Sequence, residues 1–90
     1  MRLDTMRVLQ ESNSIGVQFL RTELKTGHTL LDIAEVTEVE ATRMRTLRNA
    51  WHAYDLVLRM MNRLNLSLAD QEDLCSGLHA LKRRLDSSPK

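Results

Sequence analysis

Two pairs of residues in this chain have the types and spacing of metal ligands. His28 and Asp32 are one helical turn apart, and His52 and Asp55 are three residues apart further along the chain. Four such side chains could bind a divalent cation if the fold brought them together. Both pairs, however, fall mostly on polar helix faces, and no Glu-x-x-His or His-Glu-x-x-His motif accompanies them. We therefore interpret these histidines as solvated side chains and predict no metal and no cofactor.

Glu23 is the most unusual carboxylate, because it falls in the middle of an apolar arc, between Phe19 and Gly27. An unpaired buried carboxylate is costly, so Glu23 should have a partner, reach water or carry a raised pKa. In an antiparallel helix pair it would meet the second predicted helix near Trp51 and Tyr54, whose N–H and O–H groups are the obvious donors. We predict a structural hydrogen bond, with a contact to a partner or ligand, or a catalytic role, as the alternatives.

The chain shows no catalytic motif. No Ser, His and Asp set lies in a nucleophile-elbow context, and no glycine-rich phosphate loop is present. The single cysteine, Cys75, excludes an intrachain disulfide and a cysteine-based zinc site, and it fits a reducing cytosol. The N-terminal segment has no signal-peptide pattern, and the composition is too polar for a membrane span. We expect a cytoplasmic protein that is not an enzyme.

Basic residues follow one side of the second predicted helix: Arg45, Arg48, His52, Arg59 and Arg63. Such a row could follow a phosphate backbone. Asp55 dilutes it, and Trp51 and Tyr54 are predicted to face the other way, so the row would lack stacking aromatics. The net charge of +1 also gives little general attraction for nucleic acid. We favour a solvated face paired with acidic residues of the other helices, with nucleic-acid binding as the alternative.

The composition indicates that helices must position these residues. Ninety residues are enough for one domain, and 42% hydrophobic with 28% charged residues is typical of a globular chain. One proline and three glycines are too few turn residues for several β-hairpins. The sequence predicts one all-α domain over residues 14–86, with an N-terminal extension or helix start at 1–13 and a disordered tail at 87–90.

Apolar periodicity predicts three helices. The first covers about 14–37, and we favour its continuation through the preceding residues, with a loop capped by Ser14 as the alternative. The second covers about 39–64, and the short joint without glycine or proline makes the two helices antiparallel neighbours or nearly one bent rod. The third begins near Leu68, because Ser67 and Asp70 form a capping signal. Its predicted apolar seam consists of Leu74, Cys75, Leu78, Leu81 and Leu85.

Two side-chain patterns predict how these helices pack. The strongest apolar stripe consists of Met44, Leu47, Trp51, Tyr54, Leu58 and Met61. It predicts that Trp51 is buried in the core. On the first helix, Gly16, Gly27 and Ala34 lie almost on one line, a groove without side chains where another helix could approach closely. The alternative is a kink at Thr26 and Gly27.

Residues 27–54 resemble a helix pair of the tetratricopeptide-repeat family. Gly27 followed by Leu30 is similar to the glycine and large residue of that family's first helix, and Ala50 with Tyr54 is similar to its Ala-x-x-x-Phe. Thr26 replaces the usual leucine, no proline closes the unit, and the distance from Gly27 to Ala50 is longer than in the repeat. The resemblance implies a helical hairpin followed by a third helix, and an interaction module without catalysis.

The widths of the apolar arcs predict association. Three helices, two of them long, would leave much apolar surface exposed in a single copy of this size. The arcs on the first two helices are also wider than one helical neighbour needs. Both observations favour an antiparallel three-helix bundle completed by dimerisation or by a helical partner. The sequence thus predicts a helical interaction module, with Glu23, Gly16, Gly27 and the basic residues as candidate contact positions.

Overall fold

The protein consists of three α-helices. The computed structural model describes the backbone of residues 2–87 and the side chains of residues 14–87. Its helices are α1 (Arg2–Val36), α2 (Glu40–Met61) and α3 (Leu68–Ser87), and the described residues contain no strand. The all-α prediction is confirmed, and α1 continues unbroken through the segment where a loop was the alternative. Ser87 is still helical, and the rest of the predicted tail lies outside the described residues.

A three-residue connection, 37–39, joins α1 to α2. Val39 has an extended backbone, with φ −85° and ψ 115°. The Thr37 hydroxyl donates to the Ile33 carbonyl (2.7 Å), and the Arg43 guanidinium donates to the Thr37 carbonyl (3.1 Å) while pairing with Glu40 (2.9 Å). These bonds satisfy carbonyl groups that the end of a helix leaves without partners. The joint therefore reverses the chain without glycine or proline.

The start of α3 is capped as its sequence predicts. The backbone N–H of Asp70 donates to the Ser67 hydroxyl (3.1 Å), which satisfies one of the free donors of the first turn. Arg21 of α1 pairs with both Asp70 and Asp73 in that turn. The same residues thus cap α3 and tie its beginning to α1. Before it, α2 ends at Met61, earlier than predicted, in a turn closed by the Arg63 N–H.

Leucine side chains form the core between the helices. The largest side chains with almost no exposure are Leu20, Leu31, Leu74, Leu81 and Val57. The α3 seam is confirmed at Leu74, Leu78, Leu81 and Leu85. Cys75 is the exception, because it is exposed. It lies about 100° around the helix from Leu74, beyond the edge of the buried face.

The prediction that the Trp51 stripe is the core face of α2 is wrong. The buried residues of α2 are Thr46, Ala50, Ala53 and Val57. Trp51 is 37% exposed, and Met44 and Leu58 are also exposed. The reason is steric, because small side chains let α2 approach its neighbours closely, so its large side chains flank the contact. Leu47, Tyr54 and Met61 therefore pack only against the edge of the core.

Glycine allows close contacts along α1. The packing interpretation is confirmed for Gly27, which meets α2 and α3, whereas Gly16 meets Leu64 in the turn after α2. A Cβ at Gly27 would lie 2.8 Å from a Leu81 methyl carbon and 3.6 Å from the Ala53 Cβ. A Cβ at Gly16 would lie 2.9 Å from a methyl carbon of Leu64. These contacts show that α1 runs antiparallel to α2, and α1 shows no break at Gly27.

Candidate functional site

The α1–α2 pair has one side covered by α3 and one side open. On α1, Arg21 pairs with Asp70 at the start of α3, and Asp32 pairs with Arg84 near its end. These ion pairs mark the flank of α1 that faces α3. Because a helix turns about 100° per residue, six described residues lie on the opposite flank, beyond the buried line. They are Ile15, Phe19, Glu23, Thr26, Leu30 and Ile33.

Four residues of α2 continue this surface. The Lys82 ammonium of α3 lies 5.6 Å from the centre of the Trp51 ring, which marks the flank of α2 that faces α3. Thr42, Asn49, Leu56 and Met60 lie on the other flank by the same helical arithmetic. We define the open face as Ile15, Phe19, Glu23, Thr26, Leu30, Ile33, Thr42, Asn49, Leu56 and Met60.

The open face is mostly apolar and largely accessible. Ile15 is 67% exposed, Phe19 43% and Ile33 44%. Leu30, Leu56 and Met60 are half-buried. No further helix within residues 14–87 covers them. Contiguous exposed apolar patches of this kind mark interaction sites.

Glu23 lies on the open face without its predicted hydrogen bond. Trp51 and Tyr54 are on the α3-facing side of α2, where both interact with Lys82. Glu23 is half-buried and makes no hydrogen bond or ion pair with another described residue. Since no buried polar side-chain atom of the described residues lacks a partner, its carboxylate reaches water. The prediction of an interhelical hydrogen bond is wrong, because it assumed that the side of α2 with Trp51 and Tyr54 faces Glu23.

The basic row on α2 is exposed along its whole length. We define the basic row as Arg45, Arg48, His52 and Arg59 on α2 with Arg63 in the turn after it, and all five are exposed. The four members within the helix fall inside an arc of about 60°. The Arg59 guanidinium donates to the backbone carbonyl of Asp55 at 3.4 Å. None of these residues forms an ion pair with a described side chain, so the predicted pairing with acidic residues of other helices is not formed.

Trp51 lies outside the basic row, on the flank of α2 that faces α3. It is about 60° around the helix from Arg48, with Asp55 between them. The edge of its ring meets Tyr54, with the ring centres 6.0 Å apart. Lys82 is held over the ring while it pairs with Asp86 at 2.8 Å. These contacts leave Trp51 37% exposed.

His28 and Asp32 form a clamp between helices. Arg84 donates to the His28 Nδ1 (3.1 Å) and carbonyl (3.2 Å), and to the carboxylates of Asp32 (2.7 Å) and Glu35 (3.2 Å). Burial lowers the pKa of His28, and the Arg84 charge lowers it further, while Asp32 partly offsets both. Accepting the Arg84 hydrogen bond requires a neutral imidazole. His28 thus connects α1 to α3.

The described residues contain no group of three or more His, Cys, Asp or Glu side chains arranged to hold a metal ion. His52 and Asp55 lie on the outward side of α2, and His28 faces α3, so the two pairs do not converge. A shallow groove follows the outward side of α3, and the described residues that line it are Glu72, Cys75, Ser76, His79, Ala80 and Arg83. All six are on one helix, so the groove is a surface depression without a second wall from another described element.

Sequence reasoning missed two parts of this surface. The open face includes Leu56 and Met60, which fall outside the Trp51 stripe. The small residues Ala50 and Ala53 on one side of α2 were the sequence feature that could have identified its buried side, because a line of small residues favours close helix contact. The contact between Lys82 and Trp51 had no local signal, since it joins residues on different helices.

Comparison of the chain with known protein families, with curated proteins and with solved structures gives no match. The resemblance of residues 27–54 to a tetratricopeptide-repeat helix pair stays a prediction. None of the helices in the described part of the chain is both long and apolar enough to span a membrane.

Proposed function

We propose that this chain is a non-catalytic helical protein–protein interaction module that binds through the open face. The observation that carries the proposal is the exposure of Phe19 and Ile33, at 43% and 44%, beside half-buried Leu30, Leu56 and Met60. Burying such side chains stabilises a complex by roughly 25 cal/mol for each Å² removed from water. We place the protein in the cytoplasm, because a single thiol fits a reducing compartment.

The occupant that we propose for the open face is a second copy of the chain. The accessible surface is 6768 Å² for 10.4 kDa, whereas a compact monomer of that mass exposes about 5400 Å². The radius of gyration is 15.8 Å, against about 12 Å for a compact chain of this length. A monomer of this chain thus exposes more surface to water than a compact monomer of the same mass, and a two-fold dimer would cover part of that surface.

The size of the open face suits such a dimer. With 22 residues, α2 is about 33 Å long, and two packed helices are roughly 20 Å wide. The face therefore offers about 650 Å² to each partner, at the lower end of the range of about 600 to 1000 Å² per partner for standard interfaces. In a dimer formed through this face, Phe19 would be removed from water.

Sedimentation equilibrium tests the proposal. The wild-type chain should sediment with about twice its 10.4 kDa mass at micromolar concentration. Phe19→Ser should shift the equilibrium towards monomer. Leu58→Ser is the matched control, because Leu58 is 45% exposed but lies on the flank of α2 that faces α3.

Each of the other outcomes counts against the proposal. If the wild-type chain were monomeric throughout the micromolar range, the proposal of self-association would be refuted. A dimer that Leu58→Ser disrupts and Phe19→Ser leaves intact would place the interface between α2 and α3 instead of on the open face. Far-UV circular dichroism of both variants should show unchanged helix content, since both positions are accessible.

A further inference from the structure

The described arginines that form ion pairs lie in different surroundings from those of the basic row. Arg21, Arg43 and Arg84 each pair with carboxylates of the same chain. The arginines of the basic row do not form an ion pair with any described side chain. The chain has enough acidic residues to neutralise them, with twelve Asp and Glu. The carboxylates that pair are nevertheless placed mainly where α1 meets α3.

Like charges are neighbours within the row. Arg45 and Arg48 are three residues apart on α2, a separation at which side chains adjoin on a helix surface. Such pairs repel each other unless an anion lies between them. Asp55 contributes one negative charge on the same side, which leaves the row with a clear positive excess. The arrangement is therefore suited to an external partner with closely spaced negative charges.

The row fits a phosphate backbone better than an acidic protein. Its helical part is narrow and straight, about 21 Å from Arg45 to Arg59 at a rise of 1.5 Å per residue. All its fixed charges are arginines, whose planar guanidinium groups bind phosphate oxygens through two hydrogen bonds. Within the same arc of α2, Ala41 is the sole apolar residue, whereas protein interfaces depend on large buried anchors.

We propose that the basic row binds the sugar–phosphate backbone of a nucleic acid without reading its base sequence. Arg45, Arg48, Arg59 and Arg63 each contact a phosphate, and the accessible edge of Trp51 lies beside the bound strand. The row shares no residue with the open face, although Leu56 lies only about 20° around α2 from Arg45. The proposal is made for the single chain and does not assume self-association.

The experiment measures binding of the intact chain to labelled oligonucleotides of mixed sequence, both duplex DNA and single-stranded RNA, by fluorescence anisotropy over a range of salt concentrations. For four phosphate contacts, log K should fall against log salt with a slope of about −3.6 on duplex and about −2.8 on a single strand. Trp51 is the single tryptophan of the chain, so quenching of its emission reports whether the nucleic acid lies beside it.

Charge-neutralising variants locate the site. Arg45→Gln or Arg59→Gln should reduce the magnitude of the salt slope by about 1 each, and the fourfold Arg→Gln variant of the row should weaken binding by about tenfold or more at low salt. Arg83→Gln is the matched control, because Arg83 is an exposed arginine on α3 outside the row. It should leave the slope of the wild-type chain unchanged.

Three results would overturn the proposal. The first is an absence of salt-dependent binding to either oligonucleotide. The second is an equal effect of Arg83→Gln and Arg45→Gln, which would show general charge attraction without a site. The third is binding of polyglutamate as tightly as an oligonucleotide of equal charge, which would identify an acidic protein as the partner.

Discussion

Replacing Gly27 by alanine tests how closely the helices approach each other. Alanine favours helix by about 1 kcal/mol over glycine. The new methyl carbon, however, would lie 2.8 Å and 3.3 Å from the two methyl carbons of Leu81, whereas carbon atoms prefer about 3.5 to 4.0 Å. Leu81 has no exposed surface and cannot rotate into water. Overpacking of about 1 to 3 kcal/mol should outweigh the helix preference, so we expect Gly27→Ala to lower the free energy of unfolding by about 1 kcal/mol.

Gly16→Ala is the matched control for this substitution. Its methyl carbon would lie 2.9 Å from Leu64, but Leu64 is half-buried in the turn after α2 and can move towards solvent. The helix preference should then dominate and raise the unfolding free energy by up to about 1 kcal/mol. Urea unfolding followed by far-UV circular dichroism, at one fixed protein concentration, compares the two variants. If Gly27→Ala proved as stable as Gly16→Ala, the close packing of α1 on Leu81 would be refuted.

Three further measurements examine the core, the clamp and the cap. Leu81→Ala should lower the free energy of unfolding by about 2 to 5 kcal/mol. Trp51→Ala should lower it by only about 1 to 2 kcal/mol, because Trp51 is 37% exposed. If urea unfolding gave the opposite order, Trp51 would be a core residue. The pKa of His28 in the folded chain is lowered from 6.5. Below that pH the unfolded chain takes up the proton first, so the folded state loses stability as the pH falls. The free energy of unfolding of the wild-type chain should therefore fall more than that of His28→Gln between neutral and mildly acidic pH, and parallel pH profiles would contradict the contact between His28 and Arg84. Ser67→Ala should cost about 1 kcal/mol through loss of the α3 cap, and an unchanged melt would show that the cap contributes nothing.

The surfaces that carry the two proposals differ in how far the sequence predicts them. The basic row is visible in the sequence, because its members recur on one side of a single helix. The structure adds that the arginines of the row form no ion pair with a described side chain and that Trp51 lies one helical turn from Arg48. The open face is only partly visible, since the wide arc containing Phe19 and Leu30 indicates it on α1, whereas its α2 half depends on where α3 packs.

Local chemistry was sufficient to predict the three helices and the start of α3, although α2 ends at Met61, before its predicted end. Ser67 and Asp70 mark the start of α3 because capping is a bond between residues three apart, and the scarcity of glycine and proline excludes a fold built from hairpins. The glycine line of α1 also predicted a close contact correctly, since the absence of a side chain is a property of the sequence alone.

The rotation of α2 about its own axis was decided by tertiary structure. Periodicity places Trp51 and Tyr54 on one side of a helix, but the helix can bury either that side or the side that carries the small residues Ala50 and Ala53. Contact with Gly27 of α1 favours burial of the alanine side, because two helices can approach closely only where the side chains of both are short. That choice moves Trp51 to the surface and leaves Glu23 in water, and it depends on the shapes of residues far apart in the chain.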